Sequence, residues 1–261
     1  LDQNTTGAAN VAVGANALDA NTTGSQNVAI GYNSLTAATT GNFNIAMGHD
    51  AQTTITTGSN NIAIGQSAMG TNTADNNTAI GHNAMLGNTT GTNNVAVGYQ
   101  GLYTNTTGGD NTAIGLQALR LNTTGDDNTA VGTSALDANT TGSNNVAVGR
   151  SALVANTTGT RNTAVGWGSK VACTIGRYNV AMGYRAMQTD VDGDYSVAIG
   201  YDALATQESD GANTAMYNVA VGVGAGQSLT TGIKNTFVGS SSAQNGALTG
   251  VENTGVGYYS L

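Results

Sequence analysis

Residues that could carry out acid–base chemistry are few in this chain. Hydrolysis of a polysaccharide by paired carboxylates requires two acidic groups in one cleft. The candidates are Glu208 and Asp210, which lie in a stretch of residues 205–217 where the spacing of the chain is irregular. Most other Asp and Glu residues fall at turn positions. A solvated loop is sufficient to explain the two acids, so the sequence predicts no enzyme.

Two sets of residues could bind a metal ion. Asp190, Asp192 and Asp194 alternate around a glycine, as in calcium-binding loops, but no distant glutamate completes an EF-hand. They also replace an ordinary Asn-Thr-Thr-Gly turn, which explains them without calcium. His49 and His82 occupy equivalent positions of a repeat and are expected to lie roughly 10 Å apart, too far to share a metal. The sequence therefore predicts no metal site and no cofactor, with the three aspartates as the calcium candidate.

A column of aromatic residues could bind a ligand by stacking. The position after a recurrent glycine holds Trp, Tyr or His in eight repeats, and Trp167, Tyr184 and Tyr201 fall in three successive ones. Aromatic side chains on a repeated surface can stack on sugar rings, or on one another and on a neighbouring chain. Packing is the role expected of most of the column. Trp167, Tyr184 and Tyr201 are the glycan-binding candidates.

Composition argues against several classes of partner. Of the 261 residues, 38 are Gly, none is Pro, 8% are charged, and the hydrophobic 39% is mostly Ala and Val, which suit a narrow core. A formal charge of −8 with only seven basic residues argues against nucleic acid and against anionic membranes. No apolar run approaches the length of a membrane span. The single cysteine, Cys173, excludes a disulfide framework and fits no zinc-binding spacing.

Fifteen repeats occupy the whole chain. The glycine that closes each Asn-Val-Ala-Val-Gly unit recurs from Gly14 to Gly257 in steps of 17 residues, with steps of 16, 22 and 18 before Gly81, Gly222 and Gly257. The consensus is Gly-x-x-Asn-Val-Ala-Val-Gly-x-x-Ala-Leu-x-x-Asn-Thr-Thr. Seventeen residues are too few for a strand, a helix and two turns, whereas two short strands with two turns fit. The sequence predicts an all-β parallel solenoid of fifteen coils, with residues 1–261 as one repeat domain.

Individual positions of the repeat have expected structural roles. The residue after Asn is β-branched in all fifteen copies, which favours a strand. Asn occupies its position in fourteen copies, and its amide can bond to the turn backbone and to the amides of neighbouring coils. The closing Gly never varies, as expected where φ is positive or two backbones nearly touch. The seven Asn-Thr-Thr sequons, from Asn4 to Asn156, are explained by a structural role in the turn.

Strand alternation predicts which faces of the coil are covered. Val11 and Val13 point to one face of an extended strand and Ala12 to the other. We expect the valine face to line the interior. The alanine face should then meet another chain, because a solvated strand would carry polar residues there. This predicts a homotrimer. The expected contact residues are Ala96, Ala113, Ala130 and Ala147.

The repeat resembles two groups of fibrous proteins. Units such as Asn27-Val28-Ala29-Ile30-Gly31 resemble the head repeats of YadA-like trimeric autotransporter adhesins, although the adhesin repeat is shorter than 17 residues. The Asn-Thr-Thr-Gly-x-x-Asn-Thr-Ala-Val-Gly arrays are similar to the shafts of phage and bacterial tail fibres that end in an endosialidase-type chaperone. The resemblance covers the whole chain. It implies a left-handed β-roll, three chains per fibre, exposure at a cell or virion surface, and attachment to a glycan or protein receptor.

The last repeats depart from the consensus. Phe237 takes the Ala position of one coil and Gly255 that of the next, while the Leu position weakens. We expect residues 223–261 to form a junction in which Phe237 is buried and Gly255 supplies the space for its ring. The 22-residue step predicts an inserted loop at 205–217, bulging near Ser209, with the strands on both sides in register.

An adhesive fibre segment is the leading functional hypothesis. It would be extracellular, with itself and a cell-surface receptor as partners. An ice-binding solenoid is one alternative, but ice-binding strands are expected to carry Thr at i and i+2, whereas Thr22 and Thr23 are adjacent. A polysaccharide-degrading tailspike is the other alternative.

Overall fold

The computed structural model describes residues 2–209, 214–244 and 248–261. The chain divides into two compact units, Leu1–Asp127 and Asn128–Leu261. Each of the fifteen repeats forms one three-residue strand, and the described residues contain no helix, hence none that could cross a membrane. The protein is therefore an all-β parallel solenoid with one coil per repeat, as predicted.

The first unit contains seven strands. Each pairs in parallel with the next, residue for residue, so that Val28, for example, lies opposite Ile45. The strands are β1 Val11–Val13, β2 Val28–Ile30, β3 Ile45–Met47, β4 Ile62–Ile64, β5 Thr78–Ile80, β6 Val95–Val97 and β7 Thr112–Ile114.

The second unit contains eight strands in the same parallel arrangement. Across the 22-residue step, Val197 of β12 lies opposite Val219 of β13, which confirms that the flanking strands stay in register. Residues 210–213 of the expected inserted loop lie outside the described residues. The strands are β8 Thr129–Val131, β9 Val146–Val148, β10 Thr163–Val165, β11 Val180–Met182, β12 Val197–Ile199, β13 Val219–Val221, β14 Thr236–Val238 and β15 Thr254–Val256.

The second strand expected in each coil is replaced by an arc of turns. The residues two and four positions after the closing glycine are left-handed, as in Asn33 (φ 52°) and Leu35 (φ 54°). The Asn33 N–H donates to the carbonyl of Ala15 in the preceding coil, and the Leu35 N–H donates to that of Ala51 in the following one. Because left-handed residues alternate with right-handed ones along this arc, the amides of Asn33 and Leu35 point to opposite neighbouring coils, and no regular strand forms. The prediction of two strands per coil is wrong for this reason.

The alanine of each strand faces the interior of its own chain, which corrects the predicted orientation. Ala96, Ala113, Ala130 and Ala147 are 0% exposed within the single chain, whereas Val13 on the opposite face is 57% exposed. The interior is filled from the other side by Leu and Met side chains of the turn arc, which leaves room for only a methyl group on the strand. The four alanines are therefore not available for contact between chains.

The closing glycine has the close backbone approach that the sequence predicts. Gly31 has a φ of 136°, and a Cβ placed on it would lie 2.4 Å from the carbonyl oxygen of Gly48 in the next coil. No side chain fits at that distance. The glycine column thus allows neighbouring coils to stack closely.

Two asparagine ladders run through the interior, one of which the sequence predicts. In the strand ladder, at the position before each strand, the Asn27 N–H donates to Oδ1 of Asn10 at 2.9 Å and its Nδ2 donates to the Gly41 carbonyl at 2.8 Å. In the turn ladder, formed by the Asn of Asn-Thr-Thr, Nδ2 of Asn105 donates to Oδ1 of Asn88 at 2.7 Å. Most sequon asparagines are therefore buried, in agreement with a structural role.

Phe237 is buried, as predicted, but the space for its ring comes from a different glycine. It lies opposite Gly255 in the strand register. A Cβ on Gly255 would meet Leu261, Ser242 and Ser260 rather than the ring. A Cβ on Gly226, at the Leu position of the preceding coil, would lie 2.9 Å from Cδ2 of Phe237. The ring therefore fills the volume that a leucine occupies in other coils.

Candidate functional site

The three glycan-binding candidates form one continuous aromatic column in the second unit. Each of Trp167, Tyr184 and Tyr201 directly follows the closing glycine of its coil, so stacking of the coils places the rings next to one another. The Trp167 and Tyr184 ring centroids are 5.1 Å apart with an edge-on geometry, and Tyr184 and Tyr201 are stacked at 5.1 Å. Trp167 is 55% exposed and Tyr201 51%. The column presents ring surface to solvent, which is the requirement for stacking on a ligand.

A groove of about 400 Å³ lies beside Trp167. Its lining includes Trp167, Tyr184, Arg185 and Gln188, with Gly168 between them. A Cβ on Gly168 would have no neighbour closer than Cγ of Arg185, at 3.9 Å. Most other coils carry a polar side chain at the Gly168 position. Gly168 therefore leaves open the space beside Trp167 that a side chain fills in most other coils.

Arg185 supplies the positive charge of the groove. Its Nε donates to Oε1 of Gln188 at 2.6 Å and lies 3.7 Å from Oδ1 of Asp202. Its guanidinium carbon is 5.8 Å from the Tyr184 ring centroid, and its side chain is 42% exposed. Within the described part of the chain its hydrogen bonds involve Nε alone, so the two Nη groups can donate to a ligand. A sugar with oxygen acceptors fits this combination of rings and donors.

A second aromatic column, which the sequence interpretation missed, lies at the position before the strand ladder. The rings of Tyr178, Tyr195 and Tyr217 stack nearly parallel, with centroids 4.9 and 5.2 Å apart. Nη1 of Arg161 donates to the Tyr178 hydroxyl at 2.7 Å, with the guanidinium 5.2 Å from the ring centroid. The recurrence of Tyr at one repeat position was the signal that could have revealed it. These three rings pack on one another along the stack of coils.

Two of the three aspartates considered for calcium are paired with cations of the chain. Asp190, in the turn ladder, accepts from Lys170 Nζ at 2.5 Å, and both side chains are 0% exposed. Asp194 accepts from Nη2 of Arg177 at 2.8 Å. Among the described residues, no group of three or more His, Cys, Asp or Glu is placed to hold a metal ion. Two of the three calcium candidates are therefore engaged in ion pairs with cations of the chain.

Lys170 occupies the Leu position of its coil and is one of the largest fully buried side chains of the described residues. Burial by itself would lower the pKa of its ammonium group, yet the pKa is raised, by the ionisable Cys173 and by the charge and hydrogen bond of Asp190. Burial also raises the pKa of Asp192, as does the neighbouring charge of Asp190. The Lys170–Asp190 pair is thus a charged contact between two fully buried side chains.

Cys173 is expected to resist alkylation in the folded protein. Its thiol is buried in the turn ladder, and burial raises its pKa, so the reactive thiolate is scarce at neutral pH. Iodoacetamide labelling followed by mass spectrometry should show slow modification of the native chain and complete modification in guanidinium chloride. Equally fast labelling under both conditions would contradict the buried position.

Each of the two histidines contacts a neighbouring side chain. Nδ1 of His49 lies 2.9 Å from Oδ2 of Asp50, and the His49 ring packs against the ring of Tyr32. The ring of His82 packs edge-on against that of Tyr99. Of the two acids in the expected inserted loop, Asp210 lies outside the described residues. In the Thr-Thr pairs the hydroxyl of the first Thr can donate to the backbone of the next coil. Thr22 Oγ1, for example, donates to the Thr39 carbonyl at 3.0 Å. That hydroxyl is thus engaged within the protein.

Comparison of the chain with protein-family models, curated proteins and solved structures finds no match.

Proposed function

We propose that this chain is a structural and adhesive segment of an extracellular trimeric fibre, a phage tail fibre or a bacterial surface adhesin, that attaches to a glycan on a cell surface. The resemblance of the repeats supports a left-handed roll with three chains per fibre. The observation that carries the proposal is an uncharged and largely apolar sheet face that a single chain leaves partly exposed to solvent.

The exposed sheet face is formed by the first and third residues of every strand. The first is Val, Ile or Thr and the third is Val, Ile or Met in all fifteen strands. Ile80 and Ile114 in the first unit are 38% and 40% exposed, and Met182 and Ile199 in the second are each 39% exposed. A solvated sheet face would carry polar residues, and large contiguous apolar patches mark interaction surfaces. Three copies of this chain, each turning this face inward, would cover it.

Replacement of Ile114 with Glu is expected to prevent trimer assembly, because the carboxylate would be buried without a partner between chains. Thr90→Glu adds the same charge at an exposed turn position of the same unit and should leave assembly unchanged. Analytical ultracentrifugation should give three times 25.9 kDa for the wild type and for Thr90→Glu, and 25.9 kDa for Ile114→Glu.

A monomeric wild-type chain would contradict the trimer itself. A trimeric Ile114→Glu variant would show instead that the chains meet through another face.

A further inference from the structure

Basic residues are concentrated near the groove. Between Asp137 and Asp190 the sequence has no Asp or Glu, yet it holds five of the seven basic residues, Arg150, Arg161, Lys170, Arg177 and Arg185. Residues 138–189 thus carry a formal charge of +5. The rest of the chain, with two basic and 15 acidic residues, carries −13, which sums to the net −8. Most of the basic residues are therefore clustered in one stretch of the chain.

One of the five cations lines the groove, and a second lies one coil away from Trp167. Lys170 and Arg177 pair with Asp190 and Asp194, and Arg161 packs on a tyrosine of the second column. Arg150 is exposed and occupies the aromatic-column position one coil before Trp167, about 4.8 Å away along the stack. Among the described residues it forms no ion pair. Arg185 lines the groove itself on the other side of Gly168.

We infer that the groove beside Trp167 binds an acidic sugar, one whose ring carries a carboxylate or sulfate group. This inference rests on the proposed adhesive function and specifies its ligand. The sugar ring stacks on Trp167, and its anionic group accepts from the Nη groups of Arg185. A guanidinium group donates to a carboxylate or sulfate in a bidentate, charge-assisted geometry, and such bonds are roughly twice as strong as neutral ones. Arg150 adds attraction from the neighbouring coil.

The size of the groove agrees with a ligand of this class. Its volume of about 400 Å³ falls within the range of roughly 300–1,000 Å³ that is typical of small-ligand sites. Gly168 provides the space next to the indole, and Gln188 holds Arg185 in place through the 2.6 Å bond to Nε. In a trimer the groove would be present three times, so that weak individual contacts would combine into stronger attachment to a polymeric glycan.

The chain should be tested on a glycan array that contains uronate oligomers, sialylated glycans, sulfated glycans and their uncharged counterparts. We expect binding to carboxylate-bearing or sulfated members and not to the uncharged ones; the two acidic classes on the array identify which group is recognised. Trp167→Ala and Gly168→Asn, which restores the side chain found in other coils, should each weaken binding at least about ten-fold. Tyr99→Ala, at an equivalent aromatic position in the first unit, is the matched control and should bind as the wild type does.

Charge variants separate this inference from the adhesive proposal. Arg185→Gln should weaken binding about ten-fold, and Asp202→Asn should strengthen it several-fold by removing a carboxylate that competes for Arg185. Binding that is confined to uncharged glycans, or that does not respond to either charge variant, would overturn the acidic-sugar inference and leave glycan attachment standing. A chain that assembles but binds no glycan on the array would overturn both.

Discussion

Breaking the buried Lys170–Asp190 pair from either side is expected to destabilise the second unit by about 3–5 kcal/mol. Lys170→Leu leaves the Asp190 carboxylate without its cation, and Asp190→Asn leaves the ammonium group without its anion. Both groups are 0% exposed, so water cannot take the place of the lost partner. The double variant Lys170→Leu/Asp190→Asn removes both charges and restores the residues that other coils carry at these two positions. It should be about as stable as the wild type, or more stable by about 1–4 kcal/mol.

Trp167 offers a local probe for this double-mutant cycle. It is the only tryptophan of the chain and lies three residues before Lys170, so urea unfolding monitored by its fluorescence reports on these coils. Asp192→Asn, which removes a charge from the same turn without breaking an ion pair, is the control and should change the free energy of unfolding by less than about 0.5 kcal/mol. If the loss of unfolding free energy in the double variant equalled the sum of the losses in the two single variants, the pairing of the two side chains in the core would be contradicted.

Substitutions at the contact between Phe237 and Gly226 are the second set with a large expected effect. Phe237→Ala leaves a cavity, for which about 3–5 kcal/mol is typical. Gly226→Leu overfills the core against the ring and should cost about 1–3 kcal/mol or more. Left-handed leucine is the ordinary residue at this position, as at Leu35, so the backbone does not oppose the change. The double variant restores a Leu and Ala pair and should recover much of the lost stability.

Hydrogen exchange resolved along the chain measures this second cycle. Loss of protection in the single variants should concentrate in the coils around β13 to β15, since solenoid stability is largely a nearest-neighbour property. Val223→Ala, at a side chain that is 55% exposed, is the control and should leave exchange unchanged. Equal loss of protection throughout the chain, or a double variant no better than Phe237→Ala, would contradict the complementary fit.

The 17-residue period was sufficient to predict one coil per repeat, the strand, the glycine column and the strand ladder. Each of these features relates a position to the same position in the next coil, and those two positions are always neighbours in a stacked solenoid. The strand register across the 22-residue step and the contact of Trp167 with Tyr184 follow from the same rule. Burial of Phe237 could also be predicted, because the Ala position of the repeat was expected to be covered, although by another chain and not by the interior of its own coil.

Contacts between different positions of the repeat were decided only by the tertiary structure. Alternation separates Val from Ala in a strand, but only the cross-section of the coil, with leucine filling the core from the turn arc, places the alanine inside. For the same reason the sequence did not reveal that Lys170 reaches Asp190, that Gly226 rather than Gly255 accommodates Phe237, or that Gly168 opens a groove beside Trp167 and Arg185. A repeat determines which residues stack along its axis, whereas the path of the backbone around each coil determines which residues meet across it.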